Sequence, residues 1–126
     1  MHVPISPGAL ILLRIRVFGG SASREMDGVL DTGASFVTIP PEDAIDLGYD
    51  LASAPKVTVS TANGPIQVSK ITLPRVELGP HAADDVAAIC LDIAGGGVSS
   101  LVGLSLISRF NITIDNKAGI LTISDL

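Results

Sequence analysis

The segment that decides the fold reads Val29-Leu30-Asp31-Thr32-Gly33-Ala34-Ser35. Its one carboxylate, Asp31, stands at the end of an apolar run and is followed at once by small residues. Small residues let the backbone turn tightly and leave space beside the carboxylate. Asp and Gly also favour ordinary turns for local reasons, so the Asp-Thr-Gly triplet alone is weak evidence of a site. The apolar lead-in and the features further along the chain strengthen it.

The size and composition of the chain predict one all-β domain. Its 126 residues leave no room for two full cores, so we predict a single domain over residues 1–126, with a flexible arm at residues 1–9. The composition is 47% hydrophobic with few aromatic residues, which indicates a core of aliphatic side chains. Thirteen Gly and eight Pro imply the many turns that an all-β domain needs.

Alternation of apolar and polar residues marks the strands, and short apolar-periodic segments mark two helices. The clearest hairpin spans Lys56 to Lys70 around Asn63-Gly64, because Asn-Gly is the strongest short turn signal. Taken alone, it is most simply an ordinary surface hairpin. The predicted strands are residues 10–18, 24–30, 36–39, the two arms of the 56–70 hairpin, 71–78, 85–91, 112–115 and 120–123; the predicted helices are residues 40–48 and 104–110, and residues 92–100 form a loop.

Charge and residue content exclude several kinds of partner. The net charge is −5 with no basic run, so we expect neither nucleic acid nor a membrane surface as a partner. No segment has the length of a membrane span or the pattern of a signal peptide, which predicts a cytoplasmic protein. Only His2, His81 and Cys90 are available as nitrogen or sulfur ligands, without metal-ligand spacing, so we expect no metal and no cofactor. Cys90 lies in an apolar run and is predicted to be a buried hydrophobe.

The order of these features resembles the retropepsin-like aspartic proteases over roughly residues 10–123. The segment Asp31-Thr32-Gly33-Ala34 matches the catalytic signature of that family. The segment Leu101-Val102-Gly103, placed before a short helix, matches its second, apolar-apolar-Gly signature. The hairpin about Asn63-Gly64 lies where the family has its flap. The pattern is most similar to that of the bacterial single-domain branch and of one eukaryotic branch.

The resemblance implies a retropepsin-like half-barrel that is mainly β with two short helices and carries one catalytic loop per chain. Peptide hydrolysis in this family needs two facing carboxylates, so the resemblance implies a homodimer with one Asp31 from each chain. The implied function is that of an aspartic endopeptidase acting on a peptide or protein substrate. Its two Asp31 carboxylates would activate a water molecule by general acid and base catalysis.

The resemblance also implies roles for individual residues. The Thr32 hydroxyl would hold the two loops rigid across the dimer, and Gly33 would let the backbone approach the carboxylates. The residues implied to contact substrate come from the loop, the flap and the second signature: Ala34, Ser35, Thr61, Ala62, Asn63, Gly64, Leu101 and Val102.

One departure from the retroviral pattern leaves a second hypothesis open. Retroviral enzymes place a second Asp and an Arg where this chain has Ser35 and Leu104, so an ion pair is missing from both sides. That absence bears on substrate preference and on dimer strength. The alternative is a non-catalytic peptide-binding or dimerisation module with the same fold. The retained Asp31 argues against it, because like charges at a two-fold axis cost stability.

Overall fold

A computed structural model of the chain describes residues 1–93 and 98–126, and within these ranges it forms ten strands and two short helices. The predicted all-β class is confirmed, whereas residues 94–97 of the predicted 92–100 loop lie outside the described ranges. The strands are β1 (His2–Pro4), β2 (Leu12–Phe18), β3 (Ser23–Leu30), β4 (Val37–Ile39), β5 (Lys56–Thr61), β6 (Gly64–Leu78), β7 (His81–Cys90), β8 (Ser100–Val102), β9 (Phe110–Asp115) and β10 (Ile120–Asp125); the helices are α1 (Pro41–Asp46) and α2 (Leu104–Ile107).

Seven strands form one sheet in the order β2-β3-β8-β4-β7-β6-β5, and an additional pairing of β2 with β6 closes this sheet on itself. The alternation predicted for β2 is observed. Leu13, Ile15 and Val17 are buried in the core, whereas Arg14 and Arg16 point outward and form ion pairs with acidic residues of β3. The enclosed space is filled by aliphatic side chains, as the composition predicts.

Three pairings join segments that are far apart in sequence. The strands β3 and β8 run parallel, as do β4 and β7, and β4 meets β8 in a short antiparallel contact where Thr38 faces Leu101. Parallel strands cannot be joined by a tight turn, and Thr38 and Leu101 of the antiparallel contact are more than sixty residues apart, so none of these contacts is local. Together they place the end of β3, where Asp31 follows, beside β8, and they place β4 on the other side of β8.

Strand β6 is longer than predicted. The sequence predicts a hairpin arm ending at Lys70 and a separate strand from Ile71, but residues 64–78 form one continuous strand. The first half of β6 pairs with β5 and the second half pairs with β7, and the two pairings overlap at Ser69. Each half therefore has a hydrogen-bonding partner, and the backbone stays extended where the neighbour changes.

The prediction of a flexible arm is wrong for the first residues of the chain. His2–Pro4 form β1, which pairs with β10 in a second, three-stranded sheet of order β1-β10-β9. The Met1 amino group donates to the Ile123 carbonyl at 2.9 Å, and the Ile123 N–H donates to the Met1 carbonyl at 2.8 Å. The free edge of β10 supplies partners that a local sequence pattern does not reveal.

Both helices are short and lie against the closed sheet. Helix α1 has Pro in its first turn, as predicted, and Arg24 of β3 forms ion pairs with Asp43 and Asp46 of this helix. Hydrogen bonds to these two carboxylates raise the pKa of Arg24 above its ordinary value. Helix α2 ends at Ile107, three residues before the predicted end, because β9 already begins at Phe110. Neither helix has the length and hydropathy to cross a bilayer.

Candidate active site

Asp31 follows the last residue of β3 and is fixed by main-chain hydrogen bonds. Its N–H donates to the carbonyl of Val102 at 3.1 Å, which extends the pairing between β3 and β8 by one residue. Its carbonyl accepts the N–H of Ala34 at 3.2 Å and so closes a tight turn. The loop that carries the carboxylate is therefore attached to β8 at one end and folded back on itself at the other.

The carboxylate of Asp31 is half-buried and held in one orientation. Its Oδ1 atom accepts a hydrogen bond from the Gly33 N–H at 2.9 Å, and a Cβ on Gly33 would lie 3.3 Å from that oxygen. Within residues 1–93 and 98–126, no Lys, Arg or His forms an ion pair with Asp31, and its Oδ2 atom has no protein hydrogen-bond partner. The charge of this carboxylate is thus left available to a ligand.

The start of α2 holds the other side of the loop through the main chain. The Leu104 N–H donates to the Ala34 carbonyl at 2.8 Å, and the Ser105 N–H donates to the Ser35 carbonyl at 3.0 Å. Gly103 lies directly against the loop, since a Cβ there would be 2.8 Å from the Ala34 carbonyl oxygen. Where the retroviral pattern has an ion pair, this chain joins the same two segments by peptide hydrogen bonds.

Two serine hydroxyls brace the strands beneath the loop. Ser105 Oγ accepts the Val37 N–H at 2.9 Å and donates to the Ala87 carbonyl at 2.7 Å, which ties α2 to β4 and β7. Ser100 Oγ, fully buried, donates to the Thr38 carbonyl at 2.7 Å. Sequence reasoning missed both serines, because their partners are main-chain groups of strands distant in sequence.

A cleft of about 510 Å³ opens beside Asp31. It brings together six of the predicted site residues, namely Asp31, Gly33, Ala34, Ser35, Thr61 and Leu101. Seven further lining residues are not among the predicted site residues, namely Phe36, Thr38, Thr58, Val59, Ser60, Ile89 and Leu91. Asp31 is the one ionisable side chain among the described lining residues, and the others are small, apolar or hydroxyl-bearing. A mostly apolar lining with a few polar groups is typical of a ligand-binding cleft.

A row of four paired side chains crosses four strands beside Asp31, and the first three of them line the cleft. Leu101 of β8 pairs with Thr38 of β4, Thr38 pairs with Ile89 of β7, and Ile89 pairs with Lys70 of β6. Paired residues project from the same face of a sheet, so all four side chains share the face that carries the cleft. This row could not be read from the sequence, since it depends on three pairings of distant segments.

Not every predicted residue lines the cleft. Thr32 lies exposed on the loop, and the side chains of Ala62 and Asn63 are exposed at the tip of the β5–β6 hairpin. Val102 was predicted as a wall of the cleft, but it is fully buried. Successive residues of a strand point to opposite faces, so Leu101 faces the cleft and Val102 faces the core. There Val102 packs on Gly28, where a Cβ would lie 2.6 Å from its Cγ2 atom.

The β5–β6 hairpin forms the opposite wall of the cleft. Thr58, Val59 and the residues up to Thr61 line it from this side. At the turn, Thr61 Oγ1 donates to the Gly64 carbonyl at 2.6 Å and accepts the Asn63 N–H at 3.2 Å. Gly64 has a φ of 102°, a conformation that favours glycine, as the turn prediction requires.

The sequence comparison that decides the family is a match over most of the chain. A family model described as Aspartyl protease matches residues 13–106. The chain belongs to the aspartyl protease family. The matched part of this family member runs from β2 to α2 and contains the Asp31 loop, the β5–β6 hairpin and Gly103.

Comparison of structures gives the fold within this family. The chain is similar to a crystal structure of a retropepsin-like aspartic protease from Rickettsia conorii, with a TM-score of 0.73 and 27% sequence identity, over 99% of this chain and 89% of the other. The predicted retropepsin-like fold is therefore confirmed. The chain is also 34% identical, over 92 residues, to an uncharacterized protein in cobV 5'region from Sinorhizobium sp.. That match covers 71% of this chain, which spans only 38% of the length of this relative.

Proposed function

We propose that this member of the aspartyl protease family is an aspartic endopeptidase that acts as a homodimer. The observation that carries the proposal is the state of Asp31. Its carboxylate is oriented by the Gly33 N–H at 2.9 Å, is not neutralised by a cation within the described part of the chain, and borders an open cleft of about 510 Å³. A carboxylate with only a structural role is not expected to be held in one orientation, without a cation, beside such a cleft.

The homodimer follows from the number of catalytic loops. Hydrolysis by this family's mechanism needs two carboxylates on either side of one water molecule, and the chain has a single Asp-Thr-Gly segment. A two-fold symmetric dimer places identical residues opposite each other across its axis, so two copies of Asp31 can complete one site. In this arrangement the Thr32 hydroxyl, which is exposed on the loop, would bond to the loop of the other protomer.

The chemistry rests on the repulsion between the two carboxylates. Like charges at close range cannot both be ionised, so the pair of Asp31 residues would hold one proton between them. The ionised carboxylate would take a proton from the water, and the protonated one would polarise the carbonyl of the peptide bond. The hydrogen bond from Gly33 fixes the orientation of each carboxylate before substrate binds.

The substrate we propose is an extended peptide lying between the cleft floor and the β5–β6 hairpin. The floor offers Ala34, Ser35 and Leu101, and the hairpin side offers Thr61. We assign the hairpin the role of a flap in which Ala62, Asn63 and Gly64 close over the peptide. Their exposed backbone would then supply hydrogen bonds to the substrate backbone.

Replacement of the carboxylate tests the proposal. Asp31→Asn removes the acid and base function with little change in shape, and Glu42→Gln removes one exposed carboxylate of α1 as a matched control. Both variants are digested with a peptide library over a range of pH, and their folding is checked by circular dichroism. We expect Asp31→Asn to lose at least about a hundredfold in cleavage rate and Glu42→Gln to retain the activity of the unmodified chain.

Three outcomes are distinguishable. Cleavage that persists in Asp31→Asn would show that the proposed mechanism is wrong. Tight binding of peptides without cleavage by the unmodified chain would favour the non-catalytic binding module. Neither binding nor cleavage of any peptide would contradict both functions.

A further inference from the structure

A lysine lies next to the cleft, in line with three residues of its floor. In the row formed by Leu101, Thr38, Ile89 and Lys70, the first three side chains line the cleft, and Lys70 occupies the fourth position, on β6. Neighbouring strands lie about 4.8 Å apart, so Lys70 is about 14 Å from Leu101 across three strand spacings. The row is therefore apolar or hydroxyl-bearing near Asp31 and ends in a positive charge.

The ammonium group of Lys70 lies over an aromatic ring of the cleft wall. Lys70 Nζ is 5.1 Å from the centroid of the Phe36 ring, within the range of a cation–π interaction. The Lys70 N–H donates to the Pro55 carbonyl at 2.8 Å, which fixes the start of the side chain. Because Phe36 lines the cleft, its ring holds the cation at the cleft boundary.

The charge of Lys70 is not used elsewhere in the described part of the chain. Of the eight basic side chains, only Lys70 and Lys117 have neither an ion pair nor a hydrogen-bond acceptor there, and Lys117 lies in the β9–β10 turn. The other six are occupied: Arg14, Arg16, Arg24 and Arg75 by carboxylates, and Lys56 and Arg109 by main-chain carbonyls.

The carboxylate of Asp50, on the outer side of Lys70, already accepts hydrogen bonds from another residue. A second cavity of about 510 Å³ lies on this side and is lined by Tyr49, Asp50 and Lys70 among others. The Asp50 carboxylate accepts hydrogen bonds from Ser53, from its Oγ at 2.7 Å and its N–H at 3.4 Å, and these bonds hold the pKa of Asp50 below its ordinary value. Asp50 forms no ion pair with Lys70, so the lysine remains available to an external anion.

We infer that Lys70, held over Phe36, forms a subsite that selects peptide substrates carrying an Asp or Glu side chain near the cleaved bond. The inference rests on the proposed function and specifies its substrate class. The distance of about 14 Å from Leu101 corresponds to about four residues of an extended peptide, so the acidic residue lies within about four positions of the cut. The protein has a net charge of −5, and this isolated cation gives an acidic peptide a specific contact at the cleft.

The test compares peptides that differ only in one charge. A peptide cleaved by the unmodified chain is prepared with Glu, or with its isostere Gln, at each of four positions on either side of the cut. The series is digested by the unmodified chain, Lys70→Gln, Lys70→Glu and Lys117→Gln. The last variant removes Lys117, the other lysine without an ion pair in residues 1–93 and 98–126, and serves as the matched control.

At one or more positions we expect the unmodified chain to prefer Glu over Gln by about three- to fivefold in kcat/KM, the range of a partly exposed ion pair. The preference should appear mainly in KM, because the contact is remote from the reacting atoms. Lys70→Gln should abolish it, Lys70→Glu should reverse it, and Lys117→Gln should leave it unchanged. It should also shrink in 0.5 M salt. A preference that survives in Lys70→Gln, or the absence of any Glu preference in the unmodified chain, would overturn the inference.

Binding separates this inference from the proposed function. The affinities of the same Glu and Gln peptides for Asp31→Asn, and for the Asp31→Asn/Lys70→Gln double variant, are measured by calorimetry. If no peptide is cleaved but Asp31→Asn prefers Glu peptides and the double variant does not, the endopeptidase proposal fails and the Lys70 subsite stands. If peptides are cleaved but the two variants bind both peptides alike, the subsite fails and the endopeptidase stands. If Asp31→Asn binds neither peptide, the subsite is contradicted.

Discussion

Gly103 and Phe36 are in direct main-chain contact, because a Cβ on Gly103 would overlap the carbonyl oxygen of Phe36. The same Cβ would lie 2.8 Å from the carbonyl oxygen of Ala34. Both oxygens belong to the segment that follows Asp31, so the backbone of Gly103 supports the Asp31 loop from below. The glycine of the apolar-apolar-Gly signature is thus required because a larger residue would clash with the backbone of this segment.

Gly103→Ala should destabilise the protein and disturb the Asp31 loop together. Backbone carbonyls cannot move aside as a side chain does, so we expect a loss of about 1–3 kcal/mol in the free energy of unfolding, or more. Urea denaturation followed by circular dichroism measures it. Gly20→Ala is the matched control, since a Cβ at Gly20 meets nothing within 4 Å. Equal midpoints for the two variants would contradict the packing argument.

Ser105→Ala should weaken the support beneath the loop without any clash. The Ser105 hydroxyl accepts the Val37 N–H and donates to the Ala87 carbonyl, so its removal leaves two main-chain groups unpaired. Leaving buried polar groups unsatisfied costs about 1–3 kcal/mol, and we expect a lower urea midpoint with an unchanged slope. Ser108→Ala, at an exposed position one turn further on, should unfold like the unmodified chain. The idea fails if Ser105→Ala is equally stable.

The elements predicted correctly from the sequence are those set by neighbouring residues. The β2–β3 hairpin, the Asn63-Gly64 turn and the start of α1 follow from alternation, from turn residues and from Pro in the first helical turn. Strand β1 and the continuity of β6 were not predicted from the sequence, because both depend on hydrogen-bonding partners in other strands.

The candidate site divides in the same way. Asp31 and the small residues after it could be recognised from their order in the chain. Thr38 and Ile89 could not, because they reach the cleft only through the β4–β8 and β4–β7 pairings of segments about fifty or more residues apart. Val102 was wrongly predicted to face the cleft. Residues of a three-residue strand alternate between two faces, and which face is the core cannot be decided until the neighbouring strands are known.

The thiol of Cys90 should be unreactive in the folded protein. Cys90 is buried, as the sequence predicts, and burial raises its pKa from 9.0 to about 11. At pH 8 this reduces the thiolate fraction about a hundredfold relative to an unfolded thiol, and only the thiolate reacts readily. We expect a disulfide reagent such as DTNB to label the native protein at least about a hundredfold more slowly than the protein in 6 M guanidinium chloride. Labelling at similar rates in both conditions would contradict the buried placement of Cys90.

The sign of the pH dependence follows from the same shift. Because the folded-state pKa of Cys90 is raised, its thiol favours the folded state fully below about pH 9. Between about pH 9 and 11 the unfolded chain can ionise and the folded chain cannot, so this contribution is lost as the pH rises. Cys90→Ala removes the titrating group. Between pH 8 and pH 10.5 the urea midpoint of the unmodified chain should therefore fall relative to the midpoint of Cys90→Ala.

Mixing experiments should reveal whether two chains share one site. If each site needs an Asp31 from both protomers, a dimer containing one Asp31→Asn chain is inactive. Adding a ninefold excess of Asp31→Asn to the unmodified chain, with time for subunit exchange, should reduce its activity to about one tenth by random pairing. The same mass of serum albumin serves as the control and should leave the activity unchanged. Activity per chain should also fall on dilution, because separated protomers each carry half a site. If the excess of Asp31→Asn leaves the rate unchanged after full exchange, one chain must hold a complete site and the shared pair of carboxylates is ruled out.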